Sequence, residues 1–152
     1  MKKLLSLSLI SLLGLILIGC KNINADDNNS ITEEESEYVI TDDLVSLELI
    51  DILSNTRATF VLINHTDDYY IYGERFLIEY EKDGTWYSIP PKNPLIFISI
   101  GYILEPKKYI NRTYDWTPYY DLEASKYRLV TSVLPEMNHT DLIYIAAEFI
   151  IN

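Results

Sequence analysis

A chain of 152 residues with a single cysteine, 23 acidic against 12 basic residues and a net charge of −11 has room for one domain with its own core and no means of closing an internal disulfide. The acidic balance argues against nucleic acid as a partner and against anionic lipid as a partner of the folded part. Thirteen tyrosines among many Ile, Asn, Asp and Lys residues read as a compositional bias, so tyrosine abundance alone does not point to a binding surface.

The N-terminal segment has the layout of a secretory signal: Lys2 and Lys3, an apolar run from Leu4 to Leu17, and a small residue, Gly19, before Cys20. The run is short for a transmembrane helix and lacks a basic stop-transfer flank, because Lys21 stands alone ahead of Asn22, Asp26 and Asp27. Leu17-Ile18-Gly19-Cys20 resembles the lipobox of bacterial lipoproteins. That resemblance implies removal of residues 1–19 and a diacylglyceryl group on the Cys20 thiol, which becomes the first residue of the mature chain. Acyl chains contribute about 0.8 kcal/mol per buried CH₂, and two hold far more durably than one. The expected product is anchored at the extracytoplasmic face of the cell membrane through Cys20 without spanning it; the alternative is an uncleaved anchor helix with an unmodified cysteine. Residues 20–41, with the run Glu33-Glu34-Glu35 and few apolar residues, read as the lipidated cysteine and a solvated acidic tether.

From residue 42 the pattern becomes β. Val45, Leu47 and Leu49 alternate with Ser46 and Glu48, and Ser54-Asn55-Thr56 turns the chain into an apolar strand at 58–63. Asn64 to Asp68 is a turn. Phe76, Ile78 and Tyr80 point to one face and Leu77, Glu79 and Glu81 to the other. Asp83-Gly84 is the strongest hairpin signal, with Gly84 at a position needing positive φ, before Trp86 to Ile89. Pro90, Pro91 and Pro94 break the ladder. The stretches 95–100 and 108–116 carry no clear pattern. Strands at 126–134 and 142–151 close the chain. No helical periodicity follows the leader, and about seven antiparallel strands with one half-buried face each predict an all-β two-sheet sandwich over 42–152.

The segment Asp121-Leu122-Glu123-Ala124-Ser125-Lys126-Tyr127-Arg128-Leu129 resembles the corner between the fifth and sixth strands of an immunoglobulin-like domain. Tyr127 stands as the corner tyrosine and Leu129 where a disulfide cysteine would be. With "YIYGERFLIEYEKDGTWYSIP" at 70–90, "YDW" at 114–116, "SKYRLV" at 125–130 and "AAEFII" at 146–151, the chain resembles the bacterial immunoglobulin-like domain of Gram-positive lipoproteins and surface proteins. That resemblance implies an immunoglobulin-like sandwich and no particular activity. Asp121 and Ser125 depart from it, standing where tight turns of the family would carry glycine.

No nucleophile-base signature is present. The only histidines, His65 and His139, sit in turn-like Asn-His-Thr tripeptides without the short paired spacing of a zinc site, so no catalytic residue, metal or cofactor is expected. Trp86 and Trp116 read as core between the sheets. The aromatic residues beside turns, Tyr69, Tyr70 and Tyr72 in one group and Tyr119 and Tyr120 in another, are the candidate contacts for a partner. The leading expectation is a lipid-anchored binding, adhesion or structural module with a protein partner. An inhibitor or accessory subunit of a secreted or membrane enzyme and a carbohydrate-binding module are the alternatives.

Overall fold

The structure, a computed structural model, describes residues 33–137 and 141–152; the leader, Cys20, the first part of the expected tether and His139 lie outside them. The described residues form nine strands and no helix. They are β1 (Glu34–Glu35), β2 (Val45–Ser54), β3 (Arg57–Asn64), β4 (Tyr70–Lys82), β5 (Thr85–Ser88), β6 (Tyr102–Leu104), β7 (Tyr109–Asp115), β8 (Ser125–Pro135) and β9 (Ile143–Ile151). One sheet has the order β1-β5-β4-β8-β9, with β6 also on β4; the other is β2-β3-β7. Every pair of named strands is antiparallel.

Period-two alternation decides which side chains meet between the sheets. On β4, Phe76 and Ile78 are buried inward and oppose Thr131 and Leu129 of β8, while Glu79 faces away and opposes Arg128. Phe60 and Leu62 of β3, Tyr114 of β7, and Ile145, Ala147 and Phe149 of β9 fill the space between. Trp116 stacks obliquely on Phe149, with ring centroids 5.3 Å apart. Its indole N–H donates to the Asn55 carbonyl at 3.0 Å, which satisfies the one polar atom that burial would otherwise strand.

The turn joining β4 to β5 has positive φ at both central residues, 53° at Asp83 and 82° at Gly84, the combination whose twist matches a hairpin. At the predicted corner, the Tyr127 hydroxyl donates to the Glu123 carbonyl at 2.8 Å, and Leu129 is wholly buried. Asp121 and Ser125 adopt ordinary negative φ, so the corner does not require glycine at either place.

The boundary of the expected tether is corrected. Residues 34–41 belong to the folded body: Glu34 and Glu35 pair with Ser88 and Tyr87, and the Ser36 amide donates to the Trp86 carbonyl at 2.9 Å. At the opposite edge of the same sheet Ile40 bridges Tyr144, and the Thr41 amide donates to the Tyr144 carbonyl at 2.9 Å. This strap therefore crosses the outer face of the sheet from β5 to β9. An edge strand's unpaired amides and carbonyls accept any extended backbone, while the glutamate side chains of β1 stay in water.

Candidate binding surface

The two tyrosine groups do not act as groups. Tyr69 is 46% exposed, but Tyr70 and Tyr120 are buried core residues, and both are withdrawn as contacts. At the entry to β4 Tyr69 and Tyr70 face opposite ways, so only one of them meets solvent, while the Tyr119 and Tyr120 amides both bond the Trp116 carbonyl at 2.9 Å and this turn places the Tyr120 ring in the core. Tyr72 stacks on Tyr102 with centroids 5.3 Å apart. The Arg112 guanidinium lies 5.1 Å from the ring of Tyr72, 5.7 Å from that of Tyr102 and 5.5 Å from that of Tyr114, and its Nη2 bonds Glu74 Oε2 at 2.7 Å. This cluster ties β7 to the β4 edge, so Tyr72 has its partners inside the molecule. Tyr119 is half-buried against Phe76 and Phe97, and its hydroxyl donates to the Ile96 carbonyl at 2.9 Å.

That bond leads to an unanticipated surface. The β8 strand covers one edge of β4 along its length, so β5, on residues 79–82, and β6, on residues 70–72, must share the other. Between them the chain 89–101 runs along β4 outside any strand ladder. Backbone and side-chain bonds hold it to the loop 116–121: the Lys92 amide donates to the Tyr119 carbonyl at 2.8 Å, Asn93 Nδ2 to the Pro118 carbonyl at 2.7 Å, and Lys92 pairs with Asp121. Leu95 and Phe97 pack on the core. Ile96, Ile98 and Ile100 are 76%, 67% and 44% exposed. At Gly101 a Cβ would lie 2.8 Å from Ile71 Cγ2, so the ridge is pressed onto the sheet at its end by a residue without a side chain. The signal was present in the spacing Ile-x-Ile-x-Ile after Pro94.

On the outer face beneath the strap, Glu79 is wholly buried. Its Oε2 accepts from Arg128 Nε at 2.6 Å, Arg128 Nη2 donates to Ser36 Oγ at 3.0 Å, and Glu79 Oε1 has no partner. Trp86 is not between the sheets as expected. It lies half-buried on this outer face, with the Arg128 guanidinium 4.7 Å and the Lys126 ammonium 5.4 Å from its ring. Its indole opposes Glu81 across the hairpin, on the same side as Glu79, so register carries it outward.

Among the described residues, His65 Nε2 lies 2.7 Å from Ser46 Oγ on an exposed strand end. A hydroxyl and an imidazole at that distance could in principle act as nucleophile and base. Neither is enclosed, and no described carboxylate bonds the other ring nitrogen to orient it. Asn64 is instead an organiser of the adjacent turn, with Nδ2 donating to the carbonyls of Asp68 and Glu105 at 2.7 and 3.0 Å and Oδ1 accepting from the Thr66 amide at 2.9 Å.

A family model described as bacterial Ig-like domain matches residues 30–149, a span that takes in the strap as well as both sheets. No curated protein matches the chain. A domain of this kind is a surface or structural module, of a class typically without catalysis.

Proposed function

The chain belongs to the bacterial Ig-like domain family, and from that premise we propose that it is a lipid-anchored extracytoplasmic binding module that works by contact and not by catalysis. The observation that carries the anchor is Leu17-Ile18-Gly19-Cys20 behind Lys2, Lys3 and an apolar run: the leader exports the chain, and acylation of the thiol retains it. Contact in place of chemistry is supported by the state of the buried charges. Glu79 and Arg128 are bonded to each other, and Arg112 is enclosed by tyrosine rings and Glu74, so these groups maintain the fold. Tyr69 and the exposed part of Tyr119 are the aromatic contacts left for a protein partner.

The test is metabolic labelling of cells with a fatty-acid analogue, followed by membrane fractionation. The wild-type chain is expected in the membrane fraction with label, and Cys20→Ser is expected unlabelled and released. Equal labelling of the two would overturn the anchor.

A further inference from the structure

The isoleucine ridge calls for an occupant. Ile96, Ile98 and Ile100 stand out from a segment whose intervening residues are fixed. Phe97 lies 5.4 Å from Phe76 and 5.6 Å from Tyr119 between ring centroids, and the Ile96 carbonyl is held by the Tyr119 hydroxyl. Three branched apolar side chains displayed in a row on a rigid backbone form a contiguous apolar patch of the kind that marks an interaction surface.

Two features of the molecule say what covers it. The first is where the N-terminal chain meets the fold. Glu34 pairs with Ser88, and Ser88 is the residue from which the chain leaves β5 for the ridge. Residues 21–33 separate this point from Cys20, and even fully extended they reach at most about 50 Å. An acylated Cys20 thus keeps this edge of the sheet within one domain's width of a bilayer. The second is charge. In a chain of net charge −11, residues 93–104 hold no Asp, Glu, Lys or Arg, and the neighbouring cations Lys92, Lys107 and Arg112 are paired with Asp121, Asp67 and Glu74, so the ridge can meet an apolar boundary without stripping water from a charge.

We propose that Ile96, Ile98 and Ile100 form an interfacial docking ridge that inserts into the headgroup boundary of the phospholipid bilayer to which Cys20 is anchored, laying the sandwich on the edge of β4 that lies between β5 and β6. The inference rests on the anchor reading for the presence of the bilayer. The depth is shallow by necessity: the ridge backbone has no ladder partner, and unpaired amides do not enter the hydrocarbon. The apolar side chains cross into the acyl boundary while the main chain stays hydrated.

The experiment separates docking from acylation. The chain from Lys21 onward contains no cysteine. It is tethered by an N-terminal hexahistidine to phosphatidylcholine vesicles carrying nickel-chelating lipid, with and without anionic lipid, and a polarity-sensitive fluorophore is placed on Ile98→Cys or, as a control, on Glu48→Cys of β2. Circular dichroism melts confirm that both variants fold. The expected result is a blue-shifted label at 98 that lipid-borne nitroxide quenches at least threefold more than the label at 48, with aqueous iodide showing the reverse. Equal iodide quenching of the two labels on vesicles overturns the proposal. So does a blue shift at 98 that grows with protein concentration in the absence of vesicles, which assigns the ridge to a second copy of the chain. Because the tether is artificial, either result stands whatever fatty-acid labelling shows for Cys20.

Discussion

Replacing Arg128 by methionine removes three interactions at once: the 2.6 Å bond to Glu79, the 3.0 Å bond to Ser36, and the stacking 4.7 Å above Trp86. What remains is a carboxylate with no exposed surface and no partner on either oxygen, since Oε1 already lacks one. Breaking a buried ion pair from one side costs about 3–5 kcal/mol, a large share of the roughly 5–15 kcal/mol that holds a domain together. Arg128→Met should therefore lose about 4 kcal/mol. The double substitution Glu79→Leu with Arg128→Met exchanges the pair for apolar side chains of similar reach and leaves no orphaned charge. It should fall within about 1 kcal/mol of wild type, because the attraction between paired charges roughly repays their desolvation. Urea unfolding followed by tryptophan fluorescence gives each stability, and the double-mutant cycle isolates the coupling. A loss below about 1 kcal/mol for Arg128→Met, or a double variant as unstable as the sum of the two singles, would refute the reasoning.

Tyr127→Phe should cost about 1 kcal/mol by removing the bond to the Glu123 carbonyl, and Tyr127→Ala at least about 3 kcal/mol by adding a cavity; an alanine variant as stable as wild type in urea would show that the corner bears no weight. Burial pushes the Tyr120 phenol up to about 12, against about 10 for an exposed tyrosine. Between those values the unfolded chain ionises while the folded one keeps its proton, so stability is full below pH about 10 and falls as pH rises through about 12. That window should cost about 3 kcal/mol, and Tyr120→Phe should flatten it; an unchanged alkaline slope in urea melts from pH about 9 upward would count against the assignment.

The sandwich was legible wherever the two faces of a strand differ chemically. Phe76, Ile78 and Tyr80 against Leu77, Glu79 and Glu81 assign β4 correctly because one set is more apolar than the other, and Asp83-Gly84 names its own turn because few residues adopt positive φ. The strap was hidden for the opposite reason. Glu33-Glu34-Glu35 carries charge on both sides, and main-chain pairing to β5 leaves no mark on side-chain polarity. At 95–100 both faces are apolar, so alternation has no contrast and the ridge reads as shapeless. Trp86 reads as core in the sequence because a sandwich without a disulfide is expected to bury a tryptophan between its sheets. The cations that draw it outward, Lys126 and Arg128, lie some forty residues away in the chain. Alternation is enough to separate Tyr69 from Tyr70, but Tyr119 and Tyr120 are separated by a turn closed on the Trp116 carbonyl, which leaves no pattern in side-chain polarity.

Tension applied through the N-terminus enters the fold along the strap, and the strap is built to yield by stages. Two registered positions join β1 to β5, and the bridge from Ile40 to Tyr144 lies further along the chain. The long ladder between β8 and β9, nine registered positions from Ser125 to Val133, stands behind both. A pull on the tether would spend its first extension in peeling residues 34–41 away and wetting Glu79 and Arg128, while the sandwich behind them stays closed. The segment is in this sense an outer layer held to the sandwich by few registered positions, separable from it without opening either sheet.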